Sequence, residues 1–522
     1  MKSLYERLKE YSETNCYAFH MPGHKRRKVV EAGLPYEIDL TEVGDFDDLH
    51  HASGILKEAM ERAANVYHAK ETQFLINGST VGILSAIMGN TEKGDKILVA
   101  RNAHKSVYHA ILMQELEPVY LYPEHHEGAQ INGELLPETV EAKLQEHADI
   151  KAVVIVSPTY DGVVSDVAKI AKISHARGIP LIVDEAHGAH FGFHPYFPQN
   201  ANQAGADIVI HSIHKTLPSL TQTALLHMNG TLVNRENVRR YLQMLQSSSP
   251  SYVLLASIDA CVGFLENEGA KAFEEYVKQL QAVRAQLREL KNLQLLETPC
   301  YDCSKIVIAV NHTDINGKML YRRLEKEFSL QLEMAAGTYV VAMTSLADTK
   351  EGYERLVCAL KKVDVSLSGT EAVGNIKELS DKETAGNIDK LSDKETVENI
   401  GGLLKKETTG NIGKLQKKEP ARNIENLSDK ETKKETTKNI TKLPQAEHVK
   451  SHGSKRKSFK RKDSIGKVSA EMAYLYPPGI PLIAEGERIS KEVILYLEKH
   501  EEMGFEIEGC RTKGRIEVWI DG

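Results

Sequence analysis

Cysteine, tryptophan and long apolar runs are scarce in this chain. Six cysteines among 522 residues are too few and too scattered for a disulfide framework, which points to a reducing cytoplasm. Cys300 and Cys303 have no second pair to complete a four-thiolate metal site and read as reduced thiols. No stretch approaches the roughly 18 uninterrupted apolar residues of a membrane span, so a membrane role is not expected. The opening MKSLYERLKEYSETNCYAFH is charged and lacks the apolar centre of a secretory signal. Excess positive charge is missing as well: the formal net charge is −7, so nucleic acid is not an expected partner. What the chain does have, 41% hydrophobic and 27% charged residues, is enough to bury large cores in about two or three domains.

Between residues 71 and 228 short apolar runs alternate with helical patterns. QFLI (73–76), KILVA (96–100), KAVVIV (151–156), IPLIV (179–183), ADIVIH (206–211) and TALLHM (223–228) read as strands. They are β-branched and apolar on both faces, as strands of a buried parallel sheet should be. DVAKIAKISHAR (166–177) has helical spacing and Gly178 to stop it. The architecture is therefore α/β. A long helical pattern follows from 237 to 293, then a second β/α region from 304 to 362. The expected divisions are an N-terminal segment and arm (1–70), a large domain (71–270) and a small C-terminal domain in two parts (271–365 and 468–522). Residues 366–467 would form an insertion between those two parts.

The insertion carries an Asn-Ile pair at 375, 387, 399, 411 and 423, a spacing of 12, and again at 439. Each unit offers one Ile and one Leu to bury. A stacked solenoid is open in principle, but so little apolar surface cannot offset chain entropy, and disorder is the expectation. The basic run GSKRKSFKRKD (453–463) that follows reads as a solvated linker, with contact to acidic partners as the alternative.

Ligands of open α/β sheets bind beyond the carboxyl ends of the strands. INGSTVGILSAIMG begins at such an end and enters a helix, so Gly78, Ser79 and Thr80 would present backbone N–H groups and two hydroxyls to a phosphate. The plain alternative is a turn with a helix cap. The stretch matches neither the dinucleotide glycine fingerprint nor the nucleotide-triphosphate loop. Asp184 ends the apolar run of IPLIVDEAHGAHFG, where a carboxylate is costly unless a cation meets it. Glu185, His187, His190 and His194 cluster beside it, but they follow no familiar zinc-ligand spacing, and no metal is expected. Lys215, after HSIH, is an amine at the next strand end. A phosphate cup, a strand-end Asp about a hundred residues later and a Lys about thirty after that is the order a pyridoxal phosphate enzyme requires.

With FHMPGHK (19–25), DDLHHASG (47–54), NGSTVG (77–82), RNAHKS (101–106), PTYDG (158–162), DEAHGAH (184–190), SIHKTLPSLTQ (212–222), SPSYVLLASID (249–259) and YPPGIPL (476–482), the sequence resembles the bacterial ornithine/lysine/arginine decarboxylase family, within the aminotransferase-like, fold-type I pyridoxal phosphate enzymes. The resemblance implies a large domain with a mostly parallel sheet, and a smaller α/β domain that the low-complexity insertion interrupts. It implies a basic amino acid as substrate and pyridoxal 5′-phosphate as cofactor. Lys215 would be the Schiff-base lysine and Asp184 the partner of the pyridine nitrogen. Ser79, Thr80, Ser212 and His214 would hold the phosphate, His104 would stack on the ring, and His187 would lie close to the cofactor. Thr159 and Tyr160 would approach the ring hydroxyl. It also implies at least a homodimer, with FHMPGHK reaching a neighbouring subunit's site.

In that chemistry the substrate amine displaces Lys215, carbon dioxide leaves, and the protonated ring takes up the electrons. An aminotransferase uses the same lysine and aspartate but needs an arginine for the substrate carboxylate, and none is assignable from sequence. A silent cofactor-binding protein is the third reading. Glu485, Glu487 and Asp45 are the candidates to meet the substrate's cationic end. One departure from the family pattern stands out: AEGERI places Glu485 where members commonly have Pro. The repeats are another.

Overall fold

The structure, a computed structural model, describes residues 2–14, 33–126, 131–311, 313–367, 443–449, 455–476 and 479–520. FHMPGHK and the 12-residue repeats lie outside the described residues.

The central sheet has seven strands: β1 (Glu71–Leu75), β2 (Lys96–Ala100), β3 (Glu117–Leu121), β6 (Ile150–Val156), β7 (Leu181–Asp184), β8 (Ile208–His211) and β9 (Ala224–Met228), in the order β1-β9-β8-β7-β6-β2-β3. A two-residue hairpin, β4 (His125–His126) with β5 (Ile131–Asn132), lies between β3 and β6 in the chain. All six expected strands are present. Alternate side chains enter different cores: Ile97 and Val99 join one, Leu98 and Ala100 another. This two-sided burial is the reason the runs are apolar throughout.

Two features differ from the sequence expectation. TALLHM runs antiparallel to both of its neighbours, β8 and β1. The link from β8 holds a single helical turn, Ile213–Thr216, too short to carry the chain back along the sheet for a parallel return. β3 has no counterpart among the six, because Glu117 and Pro118 hide it. As the edge strand paired with β2 it tolerates a proline.

The small domain is a four-stranded antiparallel sheet ordered β10 (Gln294–Leu295), β11 (Lys305–Ala309), β13 (Tyr339–Met343), β12 (Met334–Ala335). The helices Gly317–Phe328 and Lys350–Leu367 belong to it.

The residues after 443 do not complete that sheet, contrary to the expectation of one domain in two parts. They pair among themselves: β14 (Glu447–His448) with β18 (Glu487–Arg488), β15 (Lys455–Lys460) with β20 (Arg515–Ile520), and β16 (Ala473–Leu475) with β17 (Ile480–Ile483) and β19 (Ile507–Glu508). Leu482, Ile483, Val493, Leu497, Ile516 and Val518 form a core of their own. The basic run read as a linker is therefore largely a strand. β20 satisfies its backbone, Phe459 packs on the core, and Arg461 Nη2 donates to Glu501 Oε1 at 3.0 Å, while most of its charges stay exposed.

Candidate active site

Five strand ends of the large domain converge on one cavity of about 960 Å³. β1 leads into Gly78, whose φ of +74° starts the helix Gly78–Gly89 in a conformation that favours glycine. That helix has no side-chain cap, so its first N–H groups are open to an anion at the cavity wall. Ser79 and Thr80 sit there, and Ser79 Oγ lies 2.5 Å from Ser212 Oγ, which follows β8. His214, two residues on, donates from Nδ1 to the carbonyl of Thr223 at 2.7 Å, fixing its ring at the same wall.

Asp184 ends β7 and is buried. Burial raises its pKa, and the charge of Lys215 only partly offsets this. Its Oδ1 accepts from the Ala186 N–H at 3.2 Å. The Lys215 amine opens into the cavity yet is surrounded by protein, and that desolvation lowers its pKa. Its Nζ stands 2.9 Å from His187 Nε2. Burial, then the Lys215 charge, pushes His187 well below the usual histidine range, so it is a neutral acceptor for that amine. The His187 ring also packs against Tyr160, with centroids 4.5 Å apart. His104 caps the helix Lys105–Gln114, accepting from the Ser106 N–H at 3.3 Å, and burial lowers its pKa to about 4. It presents a neutral ring at the cavity.

All eight residues singled out for the site (Lys215, Asp184, His187, Ser79, Thr80, His104, Ser212 and His214) line this one cavity. Of the two residues expected near the ring hydroxyl, Tyr160 faces the cavity with His187, whereas the Thr159 hydroxyl is engaged locally, donating to Asp161 Oδ1 at 2.6 Å and accepting from the Val163 N–H. The zinc-like cluster disperses. His190 pairs with Asp302, His194 with Glu274, and Glu185 with His211. No group of three metal-ligating side chains occurs among the described residues.

The three carboxylates expected to meet the substrate's cationic end lie outside the cavity lining. Glu487 is buried against Arg101 at 3.2 Å, and Arg101 also donates to the carbonyls of Pro481 (2.6 Å) and Leu482 (3.1 Å). The pair is a strut that fastens the C-terminal region to the large domain. Glu485 pairs with Arg456 at 3.0 Å, which stacks on Trp519, so the departure from the family pattern lies outside the cavity lining. Asp45 is exposed and also outside it. The carboxylates that do face the cavity include Glu333, Glu325 and Glu506, and the cations Lys318 and Arg322 join them. The Tyr160 hydroxyl donates to Glu333. Nothing in the sequence near these residues marks them, because they reach the site from the small domain and the C-terminal region. Arg322 also removes the argument that no arginine is available for a substrate carboxylate.

The site fits pyridoxal phosphate. A buried carboxylate whose charge is poorly met suits a pyridinium N–H, and an uncapped helix start flanked by two hydroxyls suits a phosphate.

Residues 2–307 match the Orn/Lys/Arg decarboxylase major domain, and residues 429–514 match the C-terminal domain of the same family. An arginine decarboxylase of Bacillus cereus is 34% identical over 373 residues, covering 69% of this chain and 81% of that protein. An arginine decarboxylase of Bacillus subtilis is 28% identical over 525 residues, covering 97% and 95%. The constitutive lysine decarboxylase of Escherichia coli superposes with a TM-score of 0.74 at 18% identity, over 99% of this chain and 82% of that one, and so shares the fold. This chain belongs to the Orn/Lys/Arg decarboxylase family.

Proposed function

We propose that this protein decarboxylates a basic amino acid, with arginine preferred over lysine and ornithine, using pyridoxal 5′-phosphate held through Lys215. The observation that carries the reading is the meeting of Lys215, His187 and Asp184 in one cavity with an uncapped helix start. The preference for arginine rests on relatives named arginine decarboxylase, one of them 34% identical. Bound cofactor supplies an electron sink for the bond to the leaving carboxylate. Lys215 would hold its carbonyl carbon, Asp184 its ring nitrogen, and Ser79, Thr80, Ser212 and His214 its phosphate. His104 would lie against the ring. A proton can pass from Lys215 Nζ to His187 Nε2 across 2.9 Å, so the neutral imidazole can act as a general base toward that amine. Glu333, oriented by Tyr160, would meet the guanidinium or ammonium end of the substrate.

Carbon dioxide release, measured with each of the three amino acids alongside the amine formed, tests the proposal. Keto-acid formation without carbon dioxide would indicate an aminotransferase, and cofactor binding with neither product a silent protein. The Glu333→Gln change is expected to raise KM for the preferred substrate by about tenfold with a smaller effect on kcat, a modest figure because the group is exposed. An unchanged KM for all three amino acids would remove Glu333 from this role.

The working unit is proposed to be a homodimer or larger, since the family resemblance brings FHMPGHK to a neighbouring site. An active monomer in light scattering would refute this. The repeats take no part in the proposed chemistry. A short Gly/Ser linker in place of residues 375–428, outside both family matches, is expected to leave cofactor binding and turnover nearly unchanged, because loop-closure entropy grows slowly with length. A trimmed protein that binds cofactor but changes its oligomeric state in sedimentation would make the repeats an interaction element.

A further inference from the structure

Lys305 opens β11 with its side chain 0% exposed. An ammonium is costly there unless its charge is met. Asp302 meets it at 3.3 Å. The other partners of Asp302 are His190 Nε2 at 3.0 Å and the Ser304 N–H at 3.0 Å. Burial alone would raise the Asp302 pKa, but the charges of His190 and Lys305 and these hydrogen bonds hold it well below the usual carboxylate range. Beyond this ion pair Lys305 Nζ has no hydrogen-bond partner among the described residues, and neither has the buried Nδ1 of His187.

The placement ties the small domain to the cavity floor. His190 lies three residues after His187 on the segment that follows β7. The Lys305 stem crosses Gly162, where a Cβ would stand 3.0 Å from Lys305 Cγ, so the lysine packs on the loop that brings Thr159, Tyr160 and Asp161 to the cavity. After desolvation and the nearer charges, the Lys305 charge lowers the pKa of both His187 and Lys215.

We propose that Lys305, anchored by Asp302 and His190, is a positioning residue for the Lys215–His187 pair, fixing the segment that carries His187 and keeping a positive charge behind both nitrogens. This rests on Lys215 being the cofactor lysine. The other groups acting on Lys215 are Asp184 at the end of β7, Glu333 before β12 and His187 itself, while His104 after β2 and His214 after β8 feel its charge. Lys305 is thus the cation among them that comes from the small domain and has no direct contact with Lys215 of its own.

The test is a pH titration of the visible absorbance of the pyridoxal phosphate-loaded protein, with the pH dependence of Lys215 labelling by an amine reagent in the cofactor-free protein as a second readout. Lys305→Met, which keeps the apolar stem, is expected to raise both midpoints by about one pH unit, since the protonated form loses a repelling neighbour. Because this change strands Asp302 as a buried charge, the balanced variant Lys305→Met with Asp302→Asn is measured alongside, and an upward shift, smaller because the opposing charge of Asp302 goes with it, is expected there. Midpoints equal to those of the unaltered protein in a normally folded balanced variant would overturn the proposal. Borohydride trapping separates the two levels: an adduct on a lysine other than Lys215 in the unaltered protein overturns the cofactor assignment, whereas an adduct on Lys215 with no shift overturns the role of Lys305.

Discussion

Lys215→Ala is expected to abolish borohydride trapping of the cofactor on the protein and to lower carbon dioxide release by roughly a thousandfold or more, because it removes the amine that holds the cofactor and exchanges protons with His187. Lys215 is well suited to this. Its surroundings lower its pKa, so a larger share of it is the free amine that attacks a carbonyl at neutral pH. Lys105, the nearest competitor in the sequence motifs, has its Nζ over the ring of Tyr474 at 4.4 Å and donates to that hydroxyl at 3.2 Å. Borohydride reduction followed by peptide mapping therefore should find the adduct on Lys215. An adduct on Lys105, or a borohydride-reduced adduct still formed by the alanine variant, would refute the assignment.

The second large effect is expected at Asp184. Asp184→Asn removes the carboxylate that would keep a bound pyridine nitrogen protonated, and kcat at saturating cofactor should fall by about a thousandfold. Stability is expected to move the other way in the cofactor-free protein. The Asp184 pKa is raised on folding, mainly by burial, so the folded state favours the protonated acid, and that stabilisation is lost as pH rises through the folded value. At neutral pH the ionised group is a liability until a cation arrives, and the amide relieves it. Thermal melts at neutral pH should show the cofactor-free variant at least as stable as the unaltered protein, with less gain when pyridoxal phosphate is added. A cofactor-free variant that melts well below the unaltered protein, or one that keeps full turnover, would contradict this account.

The strands were legible because each carries its own signal. KILVA reads as a strand from four consecutive apolar residues after Lys96 and is one over the same residues. The Gly178 stop, with φ +68°, and the Gly78 turn were legible for the same reason: the backbone conformation is a property of one residue and its neighbours. The strand-end positions of Gly78, Asp184 and Lys215 were legible because open α/β sheets place ligands at strand ends, and strand ends can be counted along a chain.

What escaped was decided across distance. Glu487 looked available for a substrate cation and is instead bound to Arg101, 386 residues earlier in the chain. The run KRKSFK looked like a solvated linker until β20, some fifty residues later, paired with it. Glu333, Arg322 and Lys305 carry no local mark. They reach the cavity or its floor because the small domain packs there.

By itself the sequence determined the α/β class, the positions of six sheet strands and the place of Ser79, Thr80, Asp184 and Lys215 at their ends, since periodicity, turn residues and strand-end chemistry act between near neighbours; His104, His187, Ser212 and His214 were singled out by the family resemblance. Only the tertiary structure decided the antiparallel turn of β9, the separate core of the C-terminal region, which carboxylates face the cavity and which are consumed in struts, and the burial of Lys305 against Asp302 and the Gly162 loop. Those outcomes depend on which distant groups satisfy one another's charges and hydrogen bonds once water is excluded, and no local pattern encodes that pairing.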